Sequence, residues 1–208
     1  RDSSVQSLSL LHDRRLIRGV ISRQERLIAL DPYANAFHRD YSVAEQKFEL
    51  DSLCYPVRLA DRYVHDTGDD FIFDQGLFSE LQIILHTILV EQHHGDHSRY
   101  HRNEHPFKEG IGLVWSAYRP SDDPQVYNYN IPENMFTATT LRTMAGFFRR
   151  YYHDDRSANK AELAAERIAQ AIEDKGIFAT RHGRIYAYEI DGLGHAKFMD
   201  DANVPSLL

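Results

Sequence analysis

Apolar residues recur along this chain mostly at helical spacing, and each recurrence comes with local start and stop signals. Val5, Leu8 and Leu11 form a short first stripe. A second follows, with Leu16, Ile17, Val20, Ile21, Leu27 and Ile28 on one face, Asp13 placed to cap it and Asp31-Pro32 to stop it, since proline disfavours helix at the residue before it. Leu53, Val57, Ala60 and Val64 predict a third helix, opened by Asp51 or Ser52 and running to Thr67 with Gly68 as its stop. Pro56 then has to sit in its first turn or distort it. A broader and more deeply buried stripe joins Leu77, Leu81, Ile84 and Ile88 to Phe78, Leu85 and Leu89, between an Asp74 cap and Gly95. Asn130-Ile-Pro132-Glu133 reads as a capping box opening a helix through Ala138, Leu141, Met144, Phe148 and Tyr151. Asn159 and Glu162 open another, with Ala165, Ile168 and Ile172 on its face and Gly176 at its end. Alternation appears only over 178–190, a hairpin around Gly183 whose clearer strand is Ile185–Ile190.

These elements predict an all-α domain of helical hairpins packed in a ring or layer, with one small β-hairpin. No repeat of fixed period, low-complexity tract or linker interrupts the 208 residues, so a single domain is expected. A net charge of −7 with scattered Lys and Arg argues against nucleic acid and anionic membrane partners. No apolar run approaches the ~20 residues that cross a bilayer. Cys54 is the one cysteine, which rules out an intrachain disulfide and a thiolate cluster; it is expected in the core. The chain starts at Arg1 and stops in an apolar segment, Pro205-Ser-Leu-Leu208, so both ends read as cut and no compartment is assigned.

Between the helices lie polar and aromatic segments. Gly112-Leu-Val-Trp115-Ser-Ala-Tyr118-Arg119-Pro120-Ser121-Asp122-Asp123-Pro124 is poor helix and poor strand, and reads as a stiff loop carrying function. Aromatic faces beside Arg and Asp suit a sugar, through stacking on the pyranose and hydrogen bonds to its hydroxyls. Further candidates sit at helix ends: Arg1, Asp2 and Ser3; Asp31, Asn35, Glu49 and Asp51; Tyr129 and Asn134; Glu189, Asp191, Asp200, Asp201 and Asn203. Paired carboxylates with little lysine nearby point to acid/base work, glycosidic cleavage foremost. His93, His94, His97, His101 and His105 crowd the segment before the central loop. His93 and His97 have the i, i+4 spacing zinc uses, and Asp96 and Glu104 could complete a site. Nothing else there resembles a zinc motif, so a solvated polar loop is expected, with neither metal nor cofactor.

Trp115-Ser-Ala-Tyr-Arg-Pro-Ser-Asp-Asp123 and Tyr129-Asn-Ile-Pro-Glu-Asn134 resemble the signature of glycoside hydrolase family 125, the exo-acting α-1,6-mannosidases. Arg1-Asp-Ser3, Arg23-Gln24, Asp31-Pro-Tyr-Ala-Asn-Ala-Phe37, Lys47-Phe-Glu-Leu-Asp-Ser-Leu-Cys-Tyr-Pro56, Thr67-Gly-Asp69 and Met199–Leu208 resemble its other blocks in the same order. The resemblance implies an (α/α)6 barrel, incomplete here, and metal-independent cleavage with inversion, acting on a mannose-containing oligosaccharide. It places the catalytic acid in the Ser121-Asp122-Asp123 block, with the choice between Asp122 and Asp123 open. Arg1, Asp2 and the Asp200–Asn203 block are then expected to hold the nonreducing mannose, with the other candidates, Trp115 and Arg119 among them, around it. The family's general base is a Glu beyond the end of this chain. An internal fragment is therefore expected to be unstable or oligomeric and inactive by itself, because a barrel lacking helices exposes apolar faces worth ~25 cal/mol per Å². A noncatalytic mannose-binding or structural remnant is the competing reading, and an (α/α) barrel hydrolase of glucosides a weaker third.

Overall fold

The computed structural model describes residues 1–181, 183–201 and 203–207. His182, Ala202 and Leu208 lie outside the described residues, the latter two within the predicted C-terminal block.

Helix α1 spans Asp2–Ser7 and passes into a 3-10 turn at Leu8–Leu10, so the first stripe is split rather than continuous. Helix α2 spans Arg14–Leu30, and the Asp13 carboxylate accepts from Leu16 N–H at 3.0 Å as an N-cap. Its buried face is Ile17, Ile21, Gln24 and Ile28. Leu16, expected on that face, sits one step round the helix and is exposed. Strands β1 (Ala36–Phe37) and β2 (Val43–Glu45) form a short antiparallel pair after it.

Helix α3 spans Asp51–Thr67 and ends at Gly68 in the left-handed region (φ 65°). Neither Asp51 nor Ser52 caps it. Leu50 is the N-cap, Asp51 is already helical and fully buried, and the Ser52 hydroxyl turns back to Glu49 Oε2 at 3.0 Å. Pro56 lies beyond the first turn, and the helix continues through it. Helix α4 spans Gln75–Glu91, with Asp74 Oδ1 accepting from Gly76 and Leu77 N–H. It stops before Gly95, and a separate turn of helix, α5 (His94–His97), follows.

Strand β3 (Tyr129–Asn130) leads into α6 (Ile131–Tyr152). Asn130 Oδ1 caps Glu133 N–H at 2.9 Å, but Glu133 does not complete the box, because its carboxylate accepts instead from Gln125 Nε2 at 3.1 Å. Helix α7 spans Asp155–Lys175 and starts earlier than Asn159, since Asp154 Oδ1 caps Ser157 N–H at 3.0 Å. His153, in the left-handed region at φ 53°, makes the two-residue join a tight helical hairpin. Ala158, Ala161 and Ala165 on the buried face of α7 let it approach α6 closely, the most extensive helix pairing in the molecule. Helix α2 packs on α4, and α3 packs on α6 and α1.

Strands β4 (Ile177–Thr180) and β5 (Gly183–Tyr186) form the expected hairpin. The predicted strand Ile185–Ile190 does not run through. It changes partners at Ala187–Tyr188, and β6 (Glu189–Ile190) pairs with β3 on one side and β7 (Ala196–Lys197) on the other. This small sheet anchors the start of α6 next to the central loop.

Candidate functional site

Two distant segments are joined to build the site. Phe48 C=O accepts from both Ala117 and Tyr118 N–H at 3.1 Å, and Glu49 bridges to Tyr118. The approach to α3 and the central loop thus lie side by side. A turn carries the loop back on itself, with Asp122 N–H donating to Arg119 C=O at 3.0 Å and Arg119 N–H to Asp123 C=O at 2.9 Å. Asp122 sits there at φ 65°, in the left-handed region that Asp tolerates better than most residues.

A cleft of about 270 Å³ opens where this turn meets α1, α2 and α3. Arg1, Asp2, Ser3, Gln24, Asn35, Glu45, Glu49, Ser52 and Asp122 supply its polar lining, and Leu27, Ile28, Phe37 and Pro56 part of its apolar wall. Asp122 is half exposed and Glu49 buried. The Arg1 guanidinium spans the acids, at 3.5 Å from Glu49, 4.0 Å from Asp51 and 3.8 Å from Asp122, and it also donates to Pro120 C=O. Asn35 Nδ2 donates to Asp122 Oδ1 at 3.2 Å and to Glu45 Oε2 at 3.0 Å. Lys47 Nζ stands 3.1 Å from Glu45 and 3.8 Å from Asp122.

Burial pushes the Glu49 carboxyl up to about 8, reinforced by its hydrogen bond with Asp122 and the charge of Asp51, and opposed by Arg1. At neutral pH Glu49 is therefore mostly protonated. Beneath it, burial lifts Asp51 to about 6 against the pull of Arg1. Burial, with Asp51 and Glu49 nearby, drives Glu133 well above the carboxylate range. Half-exposed Asp122 thus rests on buried Glu49, which keeps its proton at neutral pH, with the raised carboxyls of Asp51 and Glu133 behind it. That arrangement can deliver a proton to an oxygen in the cleft.

The profile of the metal-independent α-mannosidases, glycoside hydrolase family 125, matches residues 5–208. The chain belongs to this family. It is 31% identical over 240 aligned positions to the Meiotically up-regulated gene 157 protein of Schizosaccharomyces pombe, covering 93% of this chain and 47% of that protein. It superposes with a TM-score of 0.92 and 33% identity on a metal-independent α-mannosidase of Streptococcus pneumoniae, solved as a non-productive complex with α-1,6-mannobiose. That match covers 99% of this chain and 57% of the streptococcal one. The fold is accordingly that of the family's (α/α)6 barrel, and the chain spans about half the length of these relatives.

Within this member of family 125, the structure gathers Arg1, Asp2, Ser3, Asn35, Glu49 and Asp122 at the cleft, with Asp51 directly below them. The other sequence candidates lie elsewhere. Asp123 is exposed and does not line the cleft; its carboxylate accepts from the Ser121 hydroxyl at 3.4 Å. Asp31 folds its own loop, accepting from Tyr33 N–H at 2.9 Å and Gln46 Nε2 at 2.7 Å. Trp115 is fully buried and stacked on His94 with centroids 3.6 Å apart, so it offers no face to a sugar. Arg119 Nε donates to the buried Glu189 at 2.5 Å, and Glu189 also accepts from Val126 and Tyr127 N–H, which fastens the loop from behind. Tyr129 is buried and donates to Lys108 C=O at 3.0 Å. Asn134 is consumed by Val114 N–H, Val114 C=O and Asn130 C=O. Asp200 and Asp201 order the C-terminal turn, accepting from Leu207 N–H and Tyr188 Oη, and neither these nor the exposed Asn203 lines the cleft.

Sequence reasoning missed Gln24, Glu45, Lys47, Ser52 and the buried Glu133. Glu45 and Lys47 had a signal, since they share the acid-rich run with Glu49. Glu133 had none beyond its apparent capping role. Among the described residues no helix is long and apolar enough to cross a membrane.

Proposed function

We propose that this chain carries the acid half of an inverting exo-α-1,6-mannosidase, acting on a nonreducing terminal mannose in the cleft below Arg1. Asp122 is the catalytic acid. It protonates the leaving glycosidic oxygen as the bond to the anomeric carbon breaks. Glu49 hands its proton to Asp122 between turnovers and is itself recharged through the cleft. Asn35 and Arg1 orient the Asp122 carboxylate, and Arg1, Asp2, Ser3 and Glu45 are placed to bind sugar hydroxyls. The carboxylate that activates water stands on the opposite face of the sugar, roughly 6.5–9.5 Å from the acid. We place it in the part of the family fold that these 208 residues do not cover.

The observation that carries this reading is the Glu49–Asp122 pair, one carboxyl buried, the other facing the cleft, with the Arg1 guanidinium within 4.0 Å of both. The α-1,6 linkage is supported by the disaccharide in the streptococcal complex. The test is proton NMR of the full-length protein with α-1,6-, α-1,3- and α-1,2-mannobiose. Release of β-mannose first, and only from the α-1,6 isomer, is expected. First-formed α-mannose contradicts inversion, and equal cleavage of all three contradicts the linkage. Binding without release leaves the noncatalytic mannose-binding role.

A further inference from the structure

The histidines that crowd the end of α4 do not assemble at the i, i+4 pair. His93 and His97 are exposed, and their rings meet edge to face with centroids 5.7 Å apart. The structure instead brings together His94, His101 and Glu104, with one ligand-capable atom from each, all within 4.8 Å of one another. None of the three lines the mannose cleft. We propose that His94, His101 and Glu104 form a zinc site that locks the 98–105 segment against α4 and the central loop.

The base of the site is already organised. His94 is buried, and its Nδ1 lies 2.5 Å from the fully buried Glu91 Oε2. With Nδ1 engaged by Glu91, Nε2 is the ring nitrogen left facing outward. Nε2 points toward Glu104 Oε1 at 3.4 Å. The ring plane is fixed a second time by the Trp115 indole stacked on it, 8° from parallel. Glu91 is itself held by Tyr33 Oη at 2.7 Å and the Ser98 hydroxyl at 2.6 Å. A metal-ligating histidine whose other nitrogen donates to a buried carboxylate is the outer-shell arrangement that orients zinc ligands.

The other two ligands are more exposed and supply the adjustment. His101 Nδ1 donates to Glu104 Oε1 at 2.7 Å, and their side chains are 57% and 38% exposed. Zinc binding replaces this hydrogen bond. The His101 ring passes its hydrogen to Nε2, and both ligands close on the ion at about 2.0–2.2 Å, leaving the fourth tetrahedral position to water. Two imidazoles and one carboxylate make a harder set than a thiolate cluster, and they suit Zn²⁺ above Mg²⁺ or Ca²⁺.

The consequence lies in what the segment touches. Between the two outer ligands, Asn103 donates from Nδ2 to Ala117 C=O at 2.8 Å, and its own carbonyl accepts from Asn128 Nδ2 at 3.1 Å. Trp115 N–H donates to Glu91 C=O at 3.0 Å. An ion here braces the loop that ends in Asp122 while taking no part in the reaction. Catalysis without metal and a structural zinc are compatible.

The test is calorimetric titration of ZnCl₂ into the tag-free, EDTA-treated protein, paired with thermal melts. One tight site and a raised Tm that EDTA reverses are expected. His101→Ala and Glu104→Ala, both at exposed positions, are expected to weaken zinc by 10- to 100-fold or more and to abolish the zinc-dependent rise in Tm without lowering the metal-free Tm. His97→Ala is expected to bind as wild type. Absence of a tight site, or zinc affinity unchanged in both His101→Ala and Glu104→Ala, overturns the proposal. Loss of the site in His97→Ala assigns it to the other pair and overturns it equally. None of these readouts depends on mannosidase activity.

Discussion

The Arg1 guanidinium joins Glu49 to Asp122 across the cleft, at 3.5 Å from one and 3.8 Å from the other, although the two acids come from separate loops zipped together by Phe48 C=O. Because burial raises Glu49 from 4.5 to about 8, the folded protein keeps a proton that the unfolded chain has lost between those values. The stability tied to that proton is full below pH 4.5 and is lost as pH rises through 8. Glu49→Gln carries a permanently neutral group of the same shape. In urea titrations the variant is expected to gain on wild type as pH rises across this window, by up to about 1.4 kcal/mol per unit. A pH-independent difference contradicts the proton on Glu49.

Glu80 offers a parallel case away from the cleft. It is fully buried on α4, with Oε1 unpartnered, and faces Glu25 of α2. Burial, then the charge of Glu25, lifts it well above 4.5, and burial with Asp74 nearby lifts Glu25 to about 7. The native state again binds the extra proton, so Glu80 costs stability increasingly as pH rises. Glu80→Gln is expected to stabilise by about 1–3 kcal/mol at pH 8 and by little at pH 4. Denaturant midpoints at the two pH values check this.

Trp115 supports the loop without touching the cleft. Trp115→Phe keeps a ring against His94 but leaves unfilled volume, and is expected to cost about 1–3 kcal/mol. KM for mannobiose is expected to stay within about threefold of wild type, since the indole contributes no sugar contact. A large rise in KM with unchanged Tm contradicts this placement.

The helices were legible wherever a local signal sufficed. Asp13, Asp74 and Asn130 each announce a helix start and each caps one. The start of α7 was not legible in the same way. Its cap, Asp154, follows a left-handed His153 in a two-residue join, and the small Ala158 and Ala161 carry too weak an apolar stripe to extend the pattern back.

The candidate site was legible as a set of residues and not as an arrangement. Arg1, Asn35, Glu49 and Asp122 were all named, yet nothing local says that Glu49 pairs with Asp122. That follows from the contact between Phe48 and Ala117–Tyr118. Trp115 and Arg119 read as sugar ligands because their chemistry suits one. Their partners, His94 and Glu189, are remote in sequence and turn both side chains inward. The His93/His97 spacing pointed to one surface of α5, whereas the group that converges needs the chain reversal after Ser98.

The most direct test of the account compares Asp122→Asn with Asp123→Asn in the full-length protein, by turnover of α-1,6-mannobiose. Asp122→Asn is expected to lower kcat by at least about 10²–10⁴-fold, the scale of a lost general acid, and Asp123→Asn by less than about tenfold. Near-normal turnover by Asp122→Asn, or the larger loss in Asp123→Asn, contradicts the assignment of Asp122 as the acid.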